Sequence, residues 1–199
     1  HENLSDLQAN LPQQKPDYFD PSISTYHYLQ TGYMGQKEAD DPFHFAPTLI
    51  RKIAATPHQE IGTHTYSHYY CNEPGQTPET FREDLRAAKR AAAGYQIKLN
   101  SLVFPRNQFN RSYLQICHEE GIRAVRSNPS TWFWNITTPG DETIVKRLYR
   151  GADAFFALSK TSFSLDSLQS EPGLPLSIPA SRFLRPYDSR LGLLNGLRL

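Results

Sequence analysis

A chain of 199 residues is long enough for one domain with a real core and short for two. Its apolar fraction of 38% lies below the usual globular range, aromatics reach 12%, and 15 prolines imply many ordered turns. With 21 basic against 20 acidic side chains, a net charge of +1 gives no footprint for a nucleic-acid partner, and no apolar run approaches a membrane span.

The first residues, His1-Glu2-Asn3-Leu4-Ser5-Asp6, carry no basic stretch followed by an apolar run, so they are not an intact signal peptide. Two cysteines, Cys71 and Cys117, are too few for a disulfide framework and lack CxxC spacing. A reduced, cytoplasmic location is therefore expected. Secretion or the periplasm is the alternative if a signal segment has been removed. Nothing in the sequence sets the oligomeric state.

Residues 1–43 are polar and interrupted by Pro12, Pro16, Pro21 and Pro42. They read as an irregular N-terminal arm with at most short helices near Leu4 to Leu11. Phe45, Leu49, Ile50 and Ile53 then recur at helical spacing, which predicts an amphipathic helix over about 44–55. Asp40 and Asp41 lie ahead of it, where carboxylates suit a helix start. Ile61 falls in a short strand running into Gly62. Thr77-Pro78-Glu79 opens a helix to about Ala93, with Phe81, Leu85, Ala88 and Ala92 on one face and Gly94 as its stop. Leu102-Val103-Phe104 is a strand closed by Pro105. Asn110 caps the next helix, which ends at Gly121. Ile122 to Val125 is another strand, and Glu142 to Arg150 is helical. After Lys160 the periodicity fades. The expectation is one domain, with an α/β core over 44–150 and a loop-rich segment over 151–199. Alternating strands and helices imply parallel strands with crossover helices, as a barrel or an open sheet.

Chemistry in such folds gathers where strands end. His64 and His68 follow the Ile61 strand at a spacing that, on a helical turn, puts both imidazoles on one face. Neutral imidazole is a good ligand for zinc and related ions. Thr65 and Ser67 are candidates to orient the rings by hydrogen bonds. Two ordinary loop histidines are the competing reading.

Glu60-Ile61-Gly62-Thr63-His64-Thr65-Tyr66-Ser67-His68 resembles the second motif of the polysaccharide deacetylases, the NodB-like homology domain. That motif is a histidine, a Ser or Thr, two variable residues and a histidine, after an acid-apolar-Gly strand end. The resemblance is strongest over about 44–135. It implies a distorted (β/α) barrel and metal-dependent hydrolysis of acetyl groups, usually N-acetyl, on a carbohydrate substrate. It also implies that His64 and His68 bind a divalent metal, zinc or a similar ion, together with an upstream aspartate.

Other family motifs depart from the pattern. Asp40-Asp41 is the only adjacent Asp pair, and no apolar strand precedes it as the first motif requires. The chain is therefore expected to begin after the first strand, as an incomplete barrel or a variant. In the third motif Pro105 aligns with the family's proline, while Val103 and Arg106 stand where the family has Arg and Tyr. Arg106 is a candidate to support catalysis by steadying an anion or a carboxylate, with an exposed loop arginine as the competing reading. The last histidine, His118, sits in a helix rather than in the family's final motif. Tyr69, Pro105, Arg106, Asn107 and Trp132 are the candidate substrate-binding residues. For Tyr69 and for the Trp132-Phe133-Trp134 rings, core packing competes with stacking on a sugar. Cys71 reads as a buried structural thiol rather than a soft ligand. With no first-motif Asp pair and no last-motif His, a non-catalytic carbohydrate-binding relative is the alternative to an active deacetylase.

Overall fold

The structure is a computed structural model that describes residues 1–129, 131–134, 142–156, 158–159, 162–168, 171–180 and 187–197. Among them are helices α1 (Leu4–Ala9), α2 (His27–Thr31), α3 (Pro47–Ala54), α4 (Pro78–Ala93), α5 (Arg111–Glu119) and α6 (Ile144–Phe156). Strands β1 (Ser101–Val103), β2 (Ala124–Ser127) and β3 (Leu176–Pro179) form a parallel sheet in that order. Leu102 pairs with Val125, and Val125 with Ser177. α5 is the crossover between β1 and β2, as parallel pairing demands. This is a mixed α/β fold, and among the described residues the sheet stays open at β3.

The ends of α4 and α5 follow from local chemistry. Thr77 and Thr80 form a reciprocal capping box, with Pro78 at the first helical position. Gly94, read from sequence as the stop, has right-handed φ of −59°. The left-handed residue is Gln96, at φ 60°, and the Ile97 N–H closes back on the Ala92 carbonyl at 3.0 Å. In α5 the Asn110 carboxamide accepts from the Ser112 N–H at 3.0 Å, and Gly121 supplies the left-handed closure at φ 84°. Ile122, just beyond it, drops into the core.

Phe81, Leu85 and Ala88 of α4 and Tyr113, Ile116 and Cys117 of α5 pack with Leu102, Phe104 and Val125 of the sheet region. Fully burying each large side chain is worth roughly 1.5–3 kcal/mol. On the outside, Arg82 and Arg86 reach Glu120 at 3.3 and 2.9 Å, tying α4 to the C-terminal end of α5.

Three expectations change. α3 begins at Pro47 and buries only that residue, while Leu49 and Ile53 face solvent and Phe45, ahead of the helix, fills the core. Asp41 does not open α3. It caps the preceding turn, accepting from the Gly35 and His44 N–H groups at 3.0 and 3.2 Å. The Ile61 strand shrinks to one parallel bridge, Thr63 to Leu102. β3 was not legible, because four residues between Pro175 and Ala180 carry no periodicity to read.

Candidate functional site

The motif segment runs beside β1. The Thr63 N–H donates to the Ser101 carbonyl at 3.0 Å, and the Val103 N–H to the Thr63 carbonyl at 2.9 Å. Gly62 is required by this approach, since a Cβ there would lie 2.5 Å from the Ser101 hydroxyl oxygen. His64 thereby comes level with the end of β1, and its Nδ1 lies 2.7 Å from the Val103 carbonyl oxygen. A carbonyl only accepts, so Nδ1 carries a proton there, and in the neutral ring Nε2 is the nitrogen that keeps its lone pair.

His64 and His68 do come together, but not on a helical turn. Thr65 and His68 both take left-handed φ, 67° and 55°, and the ring centroids approach to 4.8 Å. Each left-handed non-glycine residue costs of order 1–3 kcal/mol and persists only where its surroundings hold it. Here the holder is Asp84 of α4. Its carboxylate is fully buried and accepts from the Tyr66 N–H at 2.8 Å, the Ser67 N–H at 3.1 Å and the Ser67 hydroxyl at 2.5 Å. Burial is the largest influence on this carboxyl and pushes it up to about 6, against the donors, which pull it down. Thr65 Oγ1 accepts from the Tyr69 N–H at 2.7 Å. Thr65 and Ser67 therefore fix the loop backbone, and the Val103 carbonyl, not they, orients the His64 ring.

The N-terminal region also grips this loop. Thr25 donates to the Ser67 carbonyl at 2.8 Å, Tyr66 to the Leu7 carbonyl at 2.7 Å, and the Tyr70 N–H to the Tyr18 hydroxyl at 2.9 Å. His68 is half-buried. Desolvation first, then the charges of His64 and Arg106, hold its imidazole below the ordinary range. The shift favours the neutral form, which a metal ligand must take.

Arg106 lies against this cluster. Its guanidinium sits 4.2 Å over the Tyr70 ring, which in turn meets His68 edge-on at 5.0 Å, and its Nη1 is 3.1 Å from Glu73. Arg106 and Asn107 are both left-handed, at φ 53° and 52°. Asn107 accepts from Arg126 at 2.8 Å. Pro105 is fully buried and closes β1.

Tyr69 must be moved out of the substrate-binding set. It is fully buried, and its hydroxyl donates to the Thr77 carbonyl at 2.9 Å. Trp132 is half-exposed and leans on Tyr149 at 5.1 Å, away from any contact with the histidine pair among those described. Cys71 is a buried free thiol in the core, and His118 is exposed on α5. Asp84 went unnoticed in the sequence. Its signal was an acid on the apolar face of α4, between Phe81 and Leu85.

The donor set fits an ion in part. Two imidazoles face each other, one with its second nitrogen fixed by a carbonyl, the usual arrangement around bound zinc. Among the described residues no third His, Cys, Asp or Glu joins them in a group able to hold a metal.

The family model described as polysaccharide deacetylase matches residues 10–125. The chain belongs to the polysaccharide deacetylase family, whose members are hydrolases acting on carbohydrates and typically metal-dependent. The match begins at residue 10, so it takes in most of the N-terminal arm that grips the histidine loop. No curated protein and no solved structure matches the chain. No helix of the described residues is long and apolar enough to cross a membrane.

Proposed function

We propose that the protein is a metal-dependent hydrolase that removes acetyl groups, N-acetyl above all, from a polysaccharide or sugar. His64 and His68 would hold a divalent ion, with zinc the natural choice for two imidazoles. The observation that carries the reading is the paired rings, 4.8 Å between centroids, with His64 Nδ1 committed to the Val103 carbonyl so that Nε2 is free. When bound, such an ion supplies Lewis acidity toward the acetyl carbonyl and lowers the pKa of water. The chain's own residues do the positioning. Val103 fixes the His64 tautomer, Asp84 fixes the loop between the histidines, and Arg106 brings a cation beside His68. The reading includes the family's distorted barrel, with β1 and its Thr63 neighbour at the catalytic mouth, and a cytoplasmic location.

A second reading is a carbohydrate-binding relative without turnover. It is favoured by the lack, among the described residues, of a third ligating side chain at the pair. Acetate release from N-acetylchitooligosaccharides, with added zinc and with a chelator, separates the two. Turnover lost to the chelator supports the hydrolase. Sugar binding with no acetate release supports the binding module.

A further inference from the structure

The turn after β1 has a consequence beyond the histidine pair. Two successive non-glycine residues, Arg106 and Asn107, are held left-handed there, and both side chains are committed: Arg106 to Tyr70 and Glu73, Asn107 to Arg126. The strained pair turns the next residue, Gln108, inward. Gln108 is only 5% exposed, and its Oε1 is buried with no hydrogen-bond partner. A folded chain rarely leaves a buried amide unpaired unless something else pairs it. Gln108 lines a cleft of about 320 Å³ together with Arg106, Asn107, Asn128, Trp134, Glu142 and Arg150. That volume is at the small end for ligand clefts.

The charges in this cleft are already spent. Arg106 is 3.1 Å from Glu73, and Arg150 pairs with Glu142 and donates to the Phe133 carbonyl at 3.1 Å. An acidic ligand would have to compete with those carboxylates. What the cleft does offer is the free Gln108 amide, a second amide from Asn128 and the Trp134 ring, a set suited to a neutral ligand rich in hydrogen-bonding groups. The cleft also adjoins the histidines, since Arg106 lines it and stacks on Tyr70, which meets His68.

We propose that this cleft is a subsite for one uncharged sugar unit, and that the Gln108 amide is the residue that reads it. This inference rests on the carbohydrate reading above. Its test is binding without turnover: calorimetric titration of the full chain with N-acetylchitotetraose in the presence of chelator. The parent binds, Gln108→Met weakens binding at least about fivefold through the lost hydrogen bond, and tetragalacturonate binds no better than the neutral sugar. Because the native amide has no protein partner, Gln108→Met leaves Tm unchanged or raises it. The proposal is overturned if Gln108→Met binds like the parent, if its Tm falls, if the acidic sugar is preferred, or if the folded parent binds no neutral sugar. Acetate release that persists beside any of those results would leave the hydrolase reading standing. Gln108-dependent binding without acetate release would do the reverse.

Discussion

His64 owes its chemistry to a single contact, the 2.7 Å approach of Nδ1 to the Val103 carbonyl. That contact leaves Nε2 as the only ring nitrogen able to bind an ion, so His64→Ala should weaken zinc binding by more than about 100-fold. Gly62 makes the contact reachable by letting the chain lie against Ser101. Gly62→Ala should cost about 1–3 kcal/mol in chemical denaturation, and Ser101→Ala in the same chain should recover part of it. Full stability in the single variant would mean that the close approach is not needed. The motif histidines were legible because three letters at fixed spacing, His64, Thr65 and His68, carry them. Tyr69 was misread because an aromatic beside a motif looks alike whether it faces a sugar or the core. Only its bonded hydroxyl and full burial decide the matter.

At the scale of elements, α4 is more than a crossover. It brings Asp84 beneath the loop of two left-handed residues and satisfies three donors there. Asp84→Ala leaves two backbone N–H groups buried and unpaired, and should cost about 2–4 kcal/mol while also weakening zinc binding. The carboxyl has an unusual pH signature. Its folded value, near 6, lies above the ordinary 3.8, so the folded protein holds this proton more tightly than the unfolded chain. The stability it contributes is therefore full at low pH and is lost as pH rises through about 6. Thermal melts from pH 4 to 7 should show this as a difference between the parent and Asp84→Asn that shifts across that window. A difference constant with pH would mean that folding does not raise the carboxyl's pKa. An acid among Phe81, Leu85 and Ala88 was visible in the sequence, but helix periodicity counts apolar positions and passes over the exception. The caps at Thr77, Asn110 and Gly121 were readable because each depends on one residue type. The start of α3 was not, since Ala46 offers no side-chain cap and Asp41 serves an earlier turn.

Across the whole molecule, one core joins α4, α5 and the sheet, and both cysteines lie inside it. Burial pushes the Cys71 thiol far up and the Cys117 thiol up to about 12. Alkylation at neutral pH should therefore track global unfolding in denaturant, and rapid labelling of the native protein would contradict this packing. The helix–strand alternation from α4 to β2 gave the parallel sheet away in advance. The role of the N-terminal arm did not show, because Thr25, Leu7 and Tyr18 meet the motif loop through single hydrogen bonds scattered over a polar, proline-broken stretch. All of these contacts converge on the histidine pair, so a zinc titration of the intact chain, beside His64→Ala and His68→Ala, probes them together. One ion per parent chain, with binding lost in both variants, is the expected result. Zinc bound equally well by all three proteins would contradict the assignment of the site.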